Sequence, residues 1–160
     1  MRINELDTEK AQIELSYFSV ATDDFRTLTA ELDSELREKN GELQSTYTQF
    51  NQLDDIKDFV IAFKNGQPIG CSSMKYYAEG VFEIKRVFVL LKCRGSGVAS
   101  RMMRKLEVVA LSRGANQLIL ETGDVLDSAI KMYTRLGFQV IPNYGQYENM
   151  KASVCMSKKI

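Results

Sequence analysis

Apolar and polar positions alternate near the start of the chain and then recur at helical spacing. Residues Ala11–Val20 place Ile13, Leu15 and Tyr17 on one face, which predicts a strand. A helix is predicted to follow, with Thr22 or Asp23 as its cap and Asn40-Gly41 as its stop. Its apolar stripe consists of Phe25, Leu28, Leu32 and Leu36.

The middle of the chain predicts a β-hairpin and a long strand. The runs Phe59–Phe63 and Pro68–Met74 flank Asn65-Gly66, a dipeptide typical of a tight turn between two strands. Before them, the polar stretch Glu42–Asp58 has no strong periodicity and is interpreted as a loop with room for a short helix. After them, Gly80 precedes the β-rich run Val81–Leu91.

Helices and strands then alternate to the end of the chain. One helix, closed by Gly114, turns inward the apolar positions Val98, Met102, Leu106, Val109 and Ala110. A second helix, with Asp127 as its cap and Gly137 as its end, carries Ile130 and Tyr133. The predicted strands are Gln117–Glu121, Phe138–Ile141 and Ser153–Lys158, the last two joined by the loop Pro142–Lys151. This order predicts an α/β (α+β) mixed sheet in a single domain spanning residues 1–160.

Composition narrows the chemistry. The 160 residues include no histidine, which excludes Ser-His-Asp and Cys-His catalysis and His-ligated metal. The three cysteines are far apart, which favours reduced thiols without a catalytic role and a cytoplasmic protein. The polar start MRINELDTEK does not resemble a signal or transit peptide, and no apolar run has the length of a membrane span. We therefore expect neither a metal site nor a membrane partner.

Charge is unevenly distributed although the net charge is zero. Residues 1–60 hold 14 acidic and 6 basic side chains, and residues 61–160 hold 7 acidic and 15 basic ones. Eight cations lie between Lys85 and Arg113, against the single acid Glu107. The excess is typical either of a solvated helix face or of a polyanionic partner. Nucleic acid is not expected, since no RNA- or DNA-binding motif accompanies it.

The segment between Val87–Leu91 and the next helix has the composition of an anion cradle. It reads Arg94-Gly95-Ser96-Gly97-Val98-Ala99, so that its glycines allow backbone amides to approach an anion closely. The helix start adds unpaired N–H donors and the positive end of the helix dipole. Neither the Walker A nor the G-x-G-x-x-G pattern is present. The alternative is a tight turn that needs glycine only for steric reasons.

Several motifs in this order resemble the GNAT superfamily of N-acetyltransferases in its small bacterial form. Arg94-x-x-Gly97-x-Ala99 matches the R/Q-x-x-G-x-G/A signature, and Glu83–Val89 is similar to the strand that precedes it. The segment from Ala129-Ile130 to Gly137-Phe138 resembles the A-I-x-x-Y-x-x-x-G-F motif. The resemblance covers Phe59–Ile160 well and implies a mostly antiparallel sheet with helices on its faces. Two parallel central strands would splay apart around acetyl-CoA.

The resemblance also implies where acetyl-CoA binds. The pyrophosphate would lie on the backbone amides of the loop, and the pantetheine arm would pair with a strand edge. The residues implied are Val87, Phe88, Val89, Arg94, Gly95, Ser96, Gly97, Val98, Ala99, Ser128 and Tyr133. Many relatives carry Asn three residues before the Ala of the A-I-x-x-Y segment, whereas this chain has Leu126. That pantetheine contact is then absent or supplied otherwise, with Ser128 or the backbone as candidates.

Acyl transfer to an amine needs a base and an acid. Tyr133 matches the family tyrosine that protonates the departing thiolate. Glu83 is the predicted base, since many members place a carboxylate on this central strand. Glu121 and water remain open as alternatives.

The acceptor is predicted to be a primary amine of a small molecule, acetylated directly in a ternary complex. Arg86 suits an acceptor with a carboxylate, whereas the acidic first part of the chain suits a cationic amine. Tyr144, Tyr147 and Asn149 are further predicted lining groups. A protein lysine or N-terminus as acceptor, a non-catalytic CoA-binding sensor and a homodimer also stay open.

Overall fold

The computed structural model describes residues 12–160 as one seven-stranded sheet with helices on both faces. The strands are β1 (Ile13–Phe18), β2 (Asp58–Lys64), β3 (Gln67–Ala78), β4 (Val81–Val89), β5 (Gln117–Gly123), β6 (Gln139–Ile141) and β7 (Ser153–Lys159). The helices are α1 (Asp23–Asn40), α2 (Leu43–Thr48), α3 (Val98–Ser112) and α4 (Asp127–Arg135). Single 3₁₀ turns lie at Leu91–Cys93 and Gly145–Tyr147. The polar N-terminal segment and Ala11 lie outside the described residues.

The sheet is antiparallel except at its centre. Its strand order is β1-β2-β3-β4-β5-β7-β6, and the parallel pair is β4 with β5. Helix α3 packs Met102 and Leu106 on one face, where β2 presents Val60 and Ala62. The other face packs against α1, whose Phe25 lies 4.7 Å, ring centre to ring centre, from Phe59 of β2. Alternation along β2 thus buries both faces of the sheet.

The predicted cap of α1 and the predicted turn between β2 and β3 agree with the structure, whereas the predicted cap of α4 does not. The Thr22 hydroxyl accepts a hydrogen bond from the Phe25 amide at 3.2 Å and caps α1. Asn65 and Gly66 both have positive φ, as the turn between β2 and β3 requires. The prediction that Asp127 caps α4 was wrong, because the capping position is Leu126, which makes no side-chain cap bond. Asp127 is instead the first helical residue, where its carboxylate still favours the helix dipole.

The parallel pair opens partway along its length. Residues Val81, Phe82 and Glu83 of β4 pair with Gln117, Leu118 and Ile119 of β5, and the ladder stops there. Residues 84–89 of β4 and 120–123 of β5 continue without pairing to one another. The predicted splay of the two central strands is confirmed.

The β3–β4 ladder contains an irregularity beside this opening. Its register shifts between Cys71–Phe88 and Ser73–Lys85, and within the shifted stretch Arg86 has a φ of 57°. A non-glycine residue in this left-handed region is strained, and such bulges re-aim side chains.

Ion pairs across the fold account for much of the uneven charge of the sequence. Arg86 pairs with Asp33 at 2.8 Å, Arg94 with Glu35 at 2.6 Å, and Arg113 with Asp58 at 2.6 Å. Each pair joins an acidic residue of the first 60 to a cation of the basic stretch. Much of the local excess is thereby neutralised within the chain.

Candidate functional site

Two clefts lie where β4 and β5 separate, and they meet. The loop cleft is bounded by α1, the end of β4, the loop before α3 and the start of α4. The inner pocket lies between α1, α2 and the two open strands. Both clefts are lined by Leu32, Leu36, Val87, Leu126, Ala129 and Tyr133.

The loop cleft brings together nearly all the residues predicted to bind the acetyl donor. Its volume is about 420 Å³, and the predicted residues that line it are Val87, Phe88, Val89, Arg94, Gly95, Gly97, Val98, Ala99, Ser128 and Tyr133. Ser96 is not among the lining residues, because its hydroxyl folds back and donates to the Cys93 carbonyl at 2.8 Å. Cys93 lies in the cleft wall, whereas Cys71 and Cys155 are buried.

The loop before α3 has the backbone features that an anion cradle requires. Gly95 and Gly97 both have a φ of 80°, and a Cβ added at either would meet nothing within 4 Å. Gly97 caps α3 without a side-chain hydrogen bond, so the first amides of the helix are left for another acceptor. This local structure fits a diphosphate, since backbone donors and the dipole act on the same anion.

Arg94 closes one side of the loop cleft. Its Nε donates to the Val89 carbonyl at 2.8 Å, and its Nη1 and Nη2 donate to the Glu35 carboxylate at 2.9 and 2.6 Å. The two charge-assisted bonds hold the pKa of Glu35 down at about 2. Arg94 is therefore oriented before any ligand arrives, and Glu35 competes with a phosphate for it.

Tyr133 stands at the junction of the two clefts. Its side chain is 6% exposed and packs edge-on against Phe138 at 5.8 Å between ring centres. Burial raises the pKa of the Tyr133 hydroxyl, and the nearby Glu121 charge adds to the effect. The phenol is held protonated, as a proton donor must be.

Leu126 also stands at this junction. It caps α4 through its backbone position and presents an apolar side chain to both clefts. The polar contact of many relatives at this position is therefore replaced by an apolar wall.

The inner pocket contains a carboxyl whose pKa is well above its ordinary value. Glu121 lines it from β5, and burial raises the pKa of its carboxyl from 4.5 to about 7. A hydrogen bond from Ser153 and the charge of Lys85 act in the opposite direction, while the charge of Glu83 adds to the rise. A carboxyl that titrates near neutrality is suited to exchange protons at physiological pH.

Glu83, the predicted base, lies beneath the pocket. It is 1% exposed and is not among the residues that line either cleft. Its Oε2 accepts a 2.6 Å hydrogen bond from the Tyr144 hydroxyl, and the ammonium groups of Lys75 and Lys85 lie 3.9 and 4.0 Å from Oε1. Burial, followed by the Glu83 charge, raises the pKa of the Tyr144 hydroxyl.

The predicted acceptor-lining residues are separated by the fold. Arg86 lines the inner pocket, whereas Tyr144, Tyr147 and Asn149 do not. Tyr147 is 1% exposed, and its hydroxyl accepts a hydrogen bond from the Lys85 ammonium at 3.1 Å. Burial lowers the pKa of Lys85 and opposes its charged form. Tyr144 and Tyr147 therefore hydrogen-bond the Glu83 carboxylate and the Lys85 ammonium, respectively.

Sequence reasoning missed the wall of the inner pocket contributed by residues 40–51. Asn40, Gln44, Tyr47 and Asn51 line it. The prediction for this stretch, a loop with room for a short helix, agrees with α2, which buries Gln44 and Tyr47. It did not show that these residues line a pocket, since the apolar spacing at Leu43, Tyr47 and Phe50 is too short a pattern to place the helix.

Two kinds of feature are absent from residues 12–160. None of their helices is long and apolar enough to cross a membrane. They also contain no cluster of three or more His, Cys, Asp or Glu side chains arranged to hold a metal ion.

Comparison with known proteins extends this geometry. The family profile described as the Acetyltransferase (GNAT) family matches residues 21–138. An IAA acetyltransferase of Azospirillum brasilense is 31% identical over 103 residues, covering 64% of this chain and 67% of that protein. Three curated relatives are matched over 56% to 69% of their own lengths.

Solved structures agree in fold. A Klebsiella pneumoniae protein assigned as an acyl-CoA N-acyltransferase has a TM-score of 0.77 and 27% identity, covering 93% of this chain and 98% of its own. A GNAT family acetyltransferase of Elizabethkingia anophelis with acetyl-CoA bound has a TM-score of 0.67 and 16% identity, covering 92% and 98%. Since the family profile spans most of the chain and the fold agrees with it, this protein belongs to the GNAT family of acetyltransferases, whose acetyl donor is acetyl-CoA.

Proposed function

We propose that this protein transfers an acetyl group from acetyl-CoA to the primary amine of a small molecule, directly, in a ternary complex. The observation that carries the proposal is the meeting of two clefts at Val87 and Tyr133. One cleft has an anion cradle and the other a titratable carboxyl. Acetyl-CoA supplies an activated thioester, and the two clefts would bring an amine to it from the opposite side.

The donor is held by backbone and by Arg94. The Arg94 amide already donates to the Leu91 carbonyl at 3.3 Å, so the amides from Gly95 to Ala99 would receive the pyrophosphate. The edge of β4 that β5 leaves free at Val87, Phe88 and Val89 would pair with the pantetheine arm. Leu126 and Ser128, at the start of α4, line the same cleft and would contact that arm. In this arrangement the reacting carbonyl would lie beside Tyr133, which lines both clefts.

Glu121 is the group proposed to take the proton from the acceptor ammonium. It lines the inner pocket, and its carboxyl titrates near pH 7. Glu83, the base expected from the family, is proposed as a positioning residue, since its charge helps to raise the pKa of Glu121. The amine that results attacks the acetyl carbon, a C–N bond forms, and the C–S bond breaks.

Tyr133 is proposed to give its proton to the departing sulfur. The nitrogen is positively charged once the C–N bond has formed, and the proton that it loses to become an amide would restore the Tyr133 phenol, while Glu121 returns its own proton to solvent. The phenol is buried at the junction and held protonated, which supports this role. Backbone amides near Val87 would polarise the acetyl carbonyl without a side chain.

The size of the inner pocket supports a small acceptor. Its volume is about 130 Å³, below the roughly 300–1,000 Å³ of sites for drug-sized ligands. An acceptor of a few heavy atoms fits such a space.

The test is acetylation of a panel of amino acids, polyamines, aminoglycosides and lysine peptides. Products are identified by mass spectrometry, because Cys93 lines the cleft and would react with a thiol reagent. We expect one N-acetylated small molecule and one CoA released for each acetyl transferred. Acetylation of peptides alone would contradict the small-molecule acceptor. Silence across the panel, with acetyl-CoA bound, would contradict catalysis and support a sensor.

The two carboxylates are separated by their pH profiles. Glu121→Gln is expected to remove the rise of kcat/KM near pH 7. Glu83→Gln is expected to shift that rise to lower pH, because it removes a charge that raises the pKa of Glu121. A rise that survives in Glu121→Gln and disappears in Glu83→Gln would instead make Glu83 the base.

A further inference from the structure

The charged side chains of the inner pocket differ in how far they are open to a ligand. Lys85 and Arg86 line the pocket as cations, but their side chains are only 5% and 4% exposed. Glu121 lines it as an acid and is partly exposed. The Glu121 carboxyl is therefore the charge that a ligand in this pocket can contact.

Both cations already have partners on the protein. The Lys85 ammonium donates to the Phe50 carbonyl at 3.0 Å and lies 4.0 Å from the Glu83 carboxylate. Arg86 Nη2 donates to the Asp33 carboxylate at 2.8 Å. Because the two cations are paired and nearly closed, neither is arranged to hold the carboxylate of an acceptor.

Glu121 lacks a partner of this kind. No ion pair joins it to a Lys or Arg side chain among residues 12–160, whereas Glu83 and Asp33 each contact a cation. An ammonium placed beside a carboxyl favours the ionised form of that carboxyl, and a second carboxylate opposes it. The pocket therefore attracts the ammonium of an acceptor at Glu121 and repels an acceptor that carries a carboxylate next to its amine.

The rest of the accessible wall is mainly apolar. Seven aliphatic side chains line the pocket, and five of them are partly exposed: Leu32, Leu36, Val87, Leu126 and Ala129. Besides Glu121, the other partly exposed side chains are Asn40 and Asn51, whose amides are uncharged. The wall thus offers apolar contact to the body of an acceptor and no accessible counter-charge to a second ionic group.

We propose that the acceptor is a short primary monoamine with an apolar body and no carboxylate, whose ammonium faces Glu121 while its body lies against Leu36 and Leu126. This inference rests on the proposed function and narrows its substrate class. The ammonium gives one proton to Glu121, and the resulting amine forms a C–N bond as the C–S bond breaks. The products are an N-substituted acetamide, CoA as the free thiol and one proton released to solvent.

The first test compares acceptors that share one carbon chain and differ at its far end: pentylamine, 1,5-diaminopentane and 5-aminopentanoate. Leucine and 3-methylbutylamine form a second pair, in which the carboxylate lies next to the amine. Acetylated products are measured by mass spectrometry. We expect each monoamine to exceed its charged counterpart in kcat/KM by about tenfold or more, since a charge that is buried without a partner is costly. The charged compounds should remain weak acceptors.

Gly123 offers a variant that narrows the pocket without changing the proposed chemistry. It lines the inner pocket from β5, and a Cβ added there would lie 3.8 Å from Leu126 and 3.9 Å from Asn40, both ordinary contact distances. In the wild type, kcat/KM should rise about fourfold for each methylene from ethylamine to butylamine, as apolar surface is covered. In Gly123→Ala the rise should stop at a shorter amine, with ethylamine unchanged as the internal control.

Glu121→Gln assigns the charge preference to Glu121. Because this variant removes the proposed base, calorimetry of acceptor binding to the protein–CoA complex replaces turnover as the measurement. The affinity ratio of 3-methylbutylamine to leucine should fall about tenfold from its wild-type value, since glutamine neither attracts the ammonium by charge nor repels the carboxylate. Glu148→Gln, at an exposed glutamate outside both clefts, is the matched control and should keep the wild-type ratio.

The outcomes separate the two proposals. Charged compounds acetylated as well as their monoamines, a binding ratio unchanged in Glu121→Gln, or no binding of any monoamine to the wild type would overturn the monoamine. Acetylation of another amine in the same experiments would leave the amine acetyltransferase standing. Monoamines that bind as expected but are never acetylated, with acetyl-CoA bound, would overturn the proposed function and leave the binding preference of the pocket intact.

Discussion

Replacing Glu121 by Gln tests whether burial in the inner pocket raises the pKa of this carboxyl. The folded protein raises the pKa of this carboxyl from 4.5 to about 7, mainly by burial. Glutamine keeps the shape and a hydrogen-bonding group but has no charge to bury. The substitution therefore removes the cost of ionising a carboxylate inside the fold.

The magnitude follows from the pKa difference. Going from 4.5 to about 7 corresponds to roughly 3 kcal/mol at about 1.36 kcal/mol for each tenfold change in acidity. Because the folded state holds the proton more tightly than the unfolded state, wild-type stability falls as pH rises between about 4.5 and 7. Glu121→Gln has no carboxyl at this position and therefore does not show this fall in stability. It should match the pH dependence of the remaining groups and be up to roughly 3 kcal/mol more stable above pH 7.

The assay is urea unfolding followed by circular dichroism at several pH values from 5 to 8.5, since the chain has no tryptophan. In thermal unfolding at the same pH values, the gain of up to roughly 3 kcal/mol above pH 7 corresponds to a Tm increase of roughly 6–12 °C for a chain of this size. Glu148→Gln, at an exposed glutamate near the end of the 3₁₀ turn Gly145–Tyr147, is the control and should give no such gain. A stability difference between Glu121→Gln and wild type that is constant from pH 5 to 8.5 would refute the raised pKa.

The remaining predictions concern the donor side of the site. Tyr133→Phe should keep acetyl-CoA affinity, measured by calorimetry, and slow turnover about 100-fold, a typical contribution of a general acid; an unchanged kcat would exclude that role. Gly97→Val should abolish acetyl-CoA binding by placing a side chain over the loop amides. Gly114→Ala should not, although Gly114 has nearly the same φ and equally open space at the other end of α3. Normal acetyl-CoA affinity of Gly97→Val would exclude the cradle. Glu35→Gln should tighten acetyl-CoA binding about fivefold by freeing Arg94, a gain of about 1 kcal/mol. Weaker binding in the same titration would mean that Glu35 orients Arg94 for the phosphate rather than competing with it.

The local rules of the chain predicted most of its elements. Hydrophobic alternation, the Thr22 cap and the Asn65-Gly66 turn depend on neighbours in sequence, and the structure confirms them. Helix α4 departs at its start, because Leu126 rather than Asp127 occupies the capping position. Helix α2 lies in the stretch predicted as a loop with room for a short helix, but its bounds could not be predicted, since a six-residue helix depends on tertiary packing of Tyr47.

The candidate site divides in the same way. The loop before α3 was predicted to bind an anion because its glycines, its arginine and the helix start are contiguous in sequence. The family motif added Tyr133, which the fold places at the junction of both clefts. The choice between Glu83 and Glu121 could not be made from the sequence, because both carboxylates lie on the central strands and only burial and neighbours distinguish them.

What the sequence alone determined is the order of elements, the absence of histidine and the glycine-rich loop before α3, because each depends on residue type and short-range spacing. Tertiary structure decided which cations are free and which are paired, since Asp33, Glu35 and Asp58 reach Arg86, Arg94 and Arg113 from distant parts of the chain. It also decided where the strands open and that burial raises the pKa of the Glu121 carboxyl. These properties arise from burial and long-range contact, and no local pattern records them.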